Sequence, residues 1–405
     1  VNFINLSNKN IYQYIFIAYL FILVASSFTI IPYIDSYYYW LWSKNLQLSY
    51  VDGPPLIAYV IKSFAIIFGN NVFALNFLGV VVTLISSFVV MQISRLLRAK
   101  HSFAIALLWL TSYSVTTHRI ITSITYDGLV NLFELSIVLS TLKYFHTKKN
   151  YFIYLIGIFA GLALLSKYTS IILIIALVAF FLYQKELRIV FKQIHFYLAM
   201  LLCLIIFSPV LAWNYEHQWA SFIFQLNYHT YNAHLANLSI PNHILQYFLQ
   251  CVIAPMAPIL VILFAIWIKN YKKSPLNINN IRPHSLDTKF ISTTMLSILI
   301  FWLLMSIHNE VSDRFMLLFH SLIIIFAGII LLEKKYYKIF LFLLMGNAIW
   351  STGDMVSHSL KTRSPNCYNA YVKSGLLKFN SPFIKYIKAH PQAETFCRYE
   401  IRQNP

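Results

Sequence analysis

The chain has 405 residues; 59% are hydrophobic, 17% aromatic and only 11% charged, and the mean hydropathy is +0.65. A soluble domain carries about 25% charged residues, so the composition excludes a soluble globular enzyme and points to a polytopic membrane protein. The net charge of +18 does not indicate a nucleic-acid partner, because most Lys and Arg fall in short loops between apolar runs, where they act as orientation signals.

In chain order, apolar runs able to span a bilayer occur at 11–31, 72–94, 102–117, 128–145, 151–166, 168–184, 196–213, 249–268, 290–307, 315–332 and 337–353. This predicts an all-α bundle of about 11 transmembrane helices, given the roughly 17–25 residues a span needs. The first run lacks a small-residue cleavage site near its end and is read as a retained helix rather than a removed signal peptide. Lys167 divides 151–184, which could otherwise be one long segment.

Alternate loops are rich in basic residues. Arg95, Arg98 and Lys100 mark one, Lys143, Lys148 and Lys149 the next, and Lys185, Arg188 and Lys192 a third. Lys269 to Lys289 and Lys334 to Lys338 continue the pattern, and Lys9 joins this side. The opposite loops hold only Lys44, Lys62, Arg119, Lys167 and Arg314, and 214–248 has no Lys or Arg. The rich side is cytoplasmic by the positive-inside rule, with the N-terminus on that side and the loops 32–71 and 214–248 external. An odd span count also puts the tail 354–405 outside, dividing the chain into a membrane domain, 1–353, and a short external tail. Cys367 and Cys397 both lie in that tail, where an oxidising compartment would allow a disulfide. Two free thiols in a cytoplasmic tail is the alternative.

The stretch from Ile34 to Ala58, IDSYYYWLWSKNLQLSYVDGPPLIA, carries the chemistry. Asp35 follows Pro32 at the end of the first span, and Asp52 precedes Pro54–Pro55. Between them Tyr37, Tyr38, Tyr39, Trp40 and Trp42 suit the membrane interface. Paired carboxylates can supply a general base and either a metal ligand or an orienting partner. His229, His234 and His243 are spaced by five and nine residues, which does not give the close helical pair of a typical zinc site.

YYYWLWSKNLQLSYVDGPPLIAYVI resembles the first external loop of bacterial members of the dolichyl-phosphate-mannose–protein mannosyltransferase superfamily, including the aminoarabinose transferases of lipid A. SITYDGLVNLFELSIVL (123–139) is similar to that family's T-P-D-x-L segment. GIFAGLALLSKYTSIILI (157–174) resembles its G-x-x-x-G-L-x-x-L-S-K-Y-T stretch, and FSPVLAWNYEHQWASFIFQ (207–225) its F-S-P-V-x-x-W-N segment. The likeness covers roughly residues 11–230. Two departures stand out: Ser36 replaces the second acid of the usual Asp-Glu pair, and Gly53 replaces the usual His or Lys after the second acid.

The resemblance implies the C-type glycosyltransferase architecture, with the catalytic Asp on the external first loop. It also implies a membrane enzyme moving a sugar from a polyprenyl-phosphate carrier to a lipid, glycan or protein acceptor on the outer face of the bacterial inner membrane. Asp35 is the expected catalytic base. Asp52 orients the acceptor or, with Asp35, binds a divalent cation (Mg or Mn) if one is used; no other cofactor is implied. Asp127 either serves the substrate or complements a helix dipole. Lys167 either meets the donor phosphate or snorkels from the bilayer. His217 is read as a phosphate or sugar contact or as an interfacial residue, and Arg314 as a phosphate ligand or the partner of Glu310 or Asp313. Tyr38 and Trp42 would line the sugar cleft. No G-x-x-x-x-G-K-[ST] motif is present, in keeping with a lipid-linked donor. A flippase for lipid-linked glycan and a catalytically silent sugar-lipid binder are the rival readings.

Overall fold

The structure is a computed structural model. It describes residues 8–362 apart from 31, 33, 98, 100, 117–120, 229–239, 272–284, 308–310 and 334–335. The cysteines Cys367 and Cys397, Arg119, Glu310, His229 and His234 therefore lie outside the described residues, as does the tail beyond Thr362.

The regular elements of the described chain are all helices. Its helices are α1 (Asn8–Thr29), α2 (Ile34–Lys44), α3 (Leu56–Phe68), α4 (Val72–Leu96), α5 (Ser102–Leu110), α6 (Tyr113–Thr116), α7 (Tyr126–Thr147) and α8 (Tyr151–Ser166). They continue with α9 (Ile171–Tyr183), α10 (Ile194–Glu216), α11 (Ala220–Tyr228), α12 (Ile240–Gln246), α13 (Ala257–Tyr271), α14 (Ser285–Ser306), α15 (Leu317–Glu333) and α16 (Tyr337–Thr362). A π-helical turn, Tyr247–Ile253, joins α12 to a short 3-10 turn ahead of α13.

Among the described residues, eight helices are long and apolar enough to cross a membrane. The count becomes nine if Tyr168–Tyr183 and Lys185–Lys192, bent by 109°, form one broken span. Each of the eleven expected runs contains helix, but α5 has nine residues and α8 sixteen, so neither meets the length of a simple span. Hydropathy alone does not separate a short buried helix from a crossing one. The segments expected as loops also contain helix among their described residues: α2 and α3 in 32–71, and α11 and α12 in 214–248. Helix α16 runs past residue 353 into the stretch expected to be tail.

Helices α7, α8 and α10 pack in series. The close α8–α10 approach is written in GIFAG, where Gly157 faces the Ala199 backbone and Gly161 lies against Ile206 and the Cys203 carbonyl. A Cβ at either glycine would collide with these atoms, so the small-xxx-small pattern brings the two backbones together. Tyr154 Oη and His195 Nδ1, 2.6 Å apart, tie the same helices one turn earlier. At one end of α7, His146 Nε2 meets the fully buried Asp287 of α14 at 2.8 Å. The large apolar core runs through α1, α4, α5, α7, α8, α14 and α15. A second, smaller core of Tyr39, Trp42, Tyr50, Ile57, Ile61 and Leu75, with neighbours from α4 and α7, seats α2 and α3 on the opposite end of α7. The end of α1 is fixed beneath it. Asn76 Nδ2 donates to the Ser27 and Ile30 carbonyls at 3.2 and 2.7 Å, satisfying acceptors a helix end leaves open.

Candidate functional site

Four helix ends converge beneath the smaller core, and each brings a charge. Asp35 lies in the first turn of α2. Asp127 lies in the first turn of α7, whose N-cap is Thr125: its hydroxyl accepts from Gly128 N at 3.2 Å. Since Thr125 does the capping, the Asp127 carboxylate is left to face a cation. Lys167 is the C-cap of α8, with extended backbone (φ −160°, ψ 131°) that breaks the helix before the turn Tyr168–Ser170. Arg314 sits in the turn Asp313–Met316 that leads into α15. The Cys251 thiol, donating to the Val311 carbonyl at 3.0 Å, fastens the approach to that turn.

The four charges form a buried chain. Arg314 Nη1 donates to Asp35 Oδ2 at 3.0 Å, and Arg314 Nε lies 3.8 Å from Asp127 Oδ2. Lys167 Nζ donates to the other Asp127 oxygen at 2.6 Å. Asp35 and Asp127 are 3% and 2% exposed, so each is a desolvated carboxylate that needs its cation. Lys167 also lies over the Phe315 ring at 4.0 Å and the Tyr126 ring at 4.6 Å, an arrangement that favours a cation held out of water. Two positive and two negative groups balance formally, and every one has an ionic neighbour before any ligand arrives. An incoming phosphate would compete with the carboxylates for Lys167 and Arg314, both suited to phosphate.

The sequence reading is thus sharpened at three residues. Lys167 meets an anion, Arg314 pairs across 279 positions with Asp35, and Asp127 is an ion-pair partner as well as a first-turn acid. Glu134 belongs to the same neighbourhood, within electrostatic reach of Lys167 and Asp127. Its i, i+7 spacing from Asp127 puts both on one face of α7, and that spacing is the signal in the sequence that identifies it.

The remaining candidates lie around this centre. Trp42 is buried and stacks on Tyr50 (4.0 Å, 12°), while Tyr38 packs edge-on against Trp42 at 5.0 Å. Tyr39 links Trp42 (5.3 Å) to Tyr126 (5.1 Å), so an aromatic wall runs from Trp42 to the ring beneath Lys167. Asp52 stands in a tight turn closed by reciprocal Tyr50–Gly53 backbone bonds of 3.1 and 3.2 Å. Its carbonyl accepts from Gln225 Nε2 at 2.6 Å. Tyr168, next to Lys167, bonds Ser221 at 2.8 Å and Ser49 at 3.4 Å, so a polar seam joins the Asp52 turn to α11. Of the two acids expected to hold a cation, Asp35 bonds Arg314 and Asp52 lies on the turn bonded to Gln225. Among the described residues no group of three or more metal-ligating side chains could hold an ion. His217 is exposed, stacks on Trp213 (4.0 Å, 7°), and no described contact joins it to the charge chain.

The two departures at Ser36 and Gly53 differ in kind. Ser36 is fully buried, donates to the Ile124 carbonyl at 2.6 Å and accepts from Ser123 at 2.7 Å. It ties α2 to the segment entering α7, and so fixes Asp35 relative to Asp127. Replacing it with the larger acid (Ser36→Glu) should destabilise the protein by about 1–3 kcal/mol through overpacking. A lowered unfolding temperature in detergent checks this, and an unchanged one would mean the site is roomier than the contacts indicate. At Gly53 a Cβ would meet only Trp42, at an ordinary 4.0 Å.

Residues 52–213 match the family described as dolichyl-phosphate-mannose-protein mannosyltransferase. The matched segment includes Asp52, Asp127 and Lys167; Asp35, Tyr38, Trp42 and Arg314 lie outside it and join the site through the fold, and His217 lies outside both. The lipid A galacturonosyltransferase RgtD of Rhizobium johnstonii is 24% identical over 189 residues, 46% of this chain and 39% of that protein. The chain thus matches well under half the length of that curated relative. The fold is shared with ArnT from Cupriavidus metallidurans. The structure bound to undecaprenyl phosphate aligns with 97% of this chain and 68% of its own, at a TM-score of 0.61 and 15% identity. The apo structure aligns with 96% and 68%, at 0.56 and 14%.

Proposed function

We propose that the protein is a glycosyltransferase of the bacterial inner membrane that moves a sugar from a polyprenyl-phosphate carrier to an acceptor at the periplasmic face. The reading takes the C-type arrangement, with the basic loops cytoplasmic and the α2–α3 end external, and with α5 and α8 as short members of an eleven-helix pattern. The observation that carries it is the buried chain Asp35–Arg314–Asp127–Lys167, assembled from helix ends rather than from the middle of spans. A path for transport would favour charges along the bundle interior.

In this reading the acceptor hydroxyl loses its proton to Asp35 as its oxygen bonds to the anomeric carbon. The bond from that carbon to the phosphate oxygen breaks, and the electron pair leaves with polyprenyl phosphate, whose charge Lys167 and Arg314 stabilise. Arg314 occupies Asp35 Oδ2 in the free protein. A donor phosphate that draws Arg314 away would uncover the base when the leaving group is in place. Asp127 then holds Lys167 in position, and the aromatic wall from Trp42 to Tyr126 flanks the sugar. The buried Trp42 Nε1, which has no hydrogen-bond partner among the described residues, is a donor for a sugar hydroxyl. Asp52, on its turn beside Gln225, orients the acceptor, and His217 marks the rim.

A lipid A acceptor is favoured by the likeness to the galacturonosyltransferase. Mass spectrometry of lipid A, lipopolysaccharide and glycoproteins from a deletion strain tests the reading. Loss of one sugar from one of these, restored by the wild-type gene and not by Asp35→Asn, is expected. An unchanged glycan profile in every fraction would overturn it.

A further inference from the structure

At the end of α9 away from Lys167, the chain turns through 109° into the 3-10 segment Lys185–Lys192. Three residues per turn place every third side chain in one row. The row of Leu187 and Val190 is buried against the bundle. The other two rows face outward: one carries Lys185 and Arg188, the other Glu186, Ile189 and Lys192, all exposed. Among the described residues none of these three cations has a carboxylate partner, in contrast to Lys167 and Arg314. Arg188 is the fixed point of this surface. Its Nε donates to the Leu182 carbonyl at 2.7 Å, satisfying an acceptor that the end of α9 leaves open. No described residue engages the four N–H donors of its Nη groups. One 3-10 turn, about 6 Å, separates Arg188 from Lys185, so both can reach a single phosphate. The flanking surface is apolar. Tyr183 and Tyr197 are 79% and 54% exposed, as suits rings at headgroup level. Two residues beyond Lys192, α10 opens an exposed stripe of Ile194, Leu198, Leu201 and Ile205, one face of the helix.

A buried row, outward cations and flanking apolar side chains are the make-up of a segment lying in a membrane interface. An apolar stripe accepts any acyl chain, but three cations against one acid select an anionic head. We infer that the outer face of Lys185–Lys192 binds an anionic glycerophospholipid of the leaflet it meets. The headgroup phosphate rests between the Arg188 Nη groups and Lys185, with Lys192 at its flank, and the acyl chains run along the α10 stripe. Arginine held by its Nε presents the remaining fork ready for phosphate oxygens. The lipid neutralises the cations and holds the bend between α9 and α10. Thirteen residues of α9, about 20 Å of helix, separate this face from the turn after Lys167. A phosphate here is out of reach of the charge chain, so the site stands independently of the transfer reaction.

Photoactivatable phosphatidylglycerol and phosphatidylcholine with the same acyl chains, reconstituted with the full-length protein in nanodiscs and followed by peptide mapping, test this. In wild type, labelling of residues 183–205 should be about tenfold heavier with phosphatidylglycerol. K185Q/R188Q/K192Q should bring the two lipids level there. K185Q/K192Q keeps the Arg188–Leu182 bond, should lose most of the preference, and decides the matter if the triple variant does not fold. Equal labelling by the two lipids in wild type, or an undiminished preference in K185Q/K192Q, overturns the site. Suppression of the labelling by an equimolar amount of polyprenyl phosphate would overturn it as well, assigning the face to that carrier instead. Unfolding temperatures of the variants near wild type show that binding, not folding, is being read.

Discussion

Asp35→Asn is expected to lower sugar transfer by about 10²–10⁴-fold, the range a positioned general base contributes. The substitution is nearly isosteric, and its amide oxygen can still accept from Arg314 Nη1, which lies 3.0 Å from the native carboxylate. The side chain would remain in place while losing the lone pair that takes the acceptor's proton. Donor binding should therefore persist, and the loss should appear in the rate of the bound complex rather than in the affinity for the polyprenyl-phosphate sugar. Transfer rates with purified protein, together with donor binding measured separately, check both halves. A variant that transferred as well as wild type would remove Asp35 from its role as base.

The second large effect falls on Lys167. Lys167→Met should reduce transfer by about 10²–10³-fold, the scale of removing one preorganised stabiliser of a developing anion. It should also lower stability, because Asp127 is 2% exposed and loses its 2.6 Å partner. Breaking a buried pair by deleting one member costs about 3–5 kcal/mol. The two effects separate in the double variant Asp127→Asn with Lys167→Met. The neutral pair should regain much of the unfolding temperature while transfer stays low. If transfer recovered together with stability, Lys167 would be a strut and not a phosphate ligand.

The sequence makes the helical spans legible because a long apolar run is sufficient signal for a helix in lipid. It makes the connections less so. IDSYYYWLWSK mixes polar and aromatic residues without spanning length, yet α2 forms there, seated by the small core of Tyr39, Trp42, Tyr50 and Leu75. The short α5 and α8 reveal the complementary limit, since their apolarity reflects burial among other helices as much as contact with lipid. At the site, residue types were readable: two acids and two cations each interrupt apolar sequence where a charge is expensive. Their pairing was not, because Asp35 meets Arg314 only after 279 residues of chain have folded. Ser36 makes the same point in reverse. By comparison with relatives it reads as a missing acid, but its buried hydroxyl joins α2 to the entrance of α7 and helps set the distance between the buried carboxylates of Asp35 and Asp127.

In the proposed reaction this buried charge chain serves to break a sugar–phosphate bond, and no lipid-linked sugar passes intact across the bilayer. The most direct measurement uses proteoliposomes holding the purified protein, a polyprenyl-phosphate sugar and lipid A, with free polyprenyl phosphate and glycosylated lipid followed together. One polyprenyl phosphate released for each sugar transferred, abolished by Asp35→Asn and Lys167→Met, is the predicted result. Movement of intact lipid-linked sugar between leaflets without release of polyprenyl phosphate would contradict it.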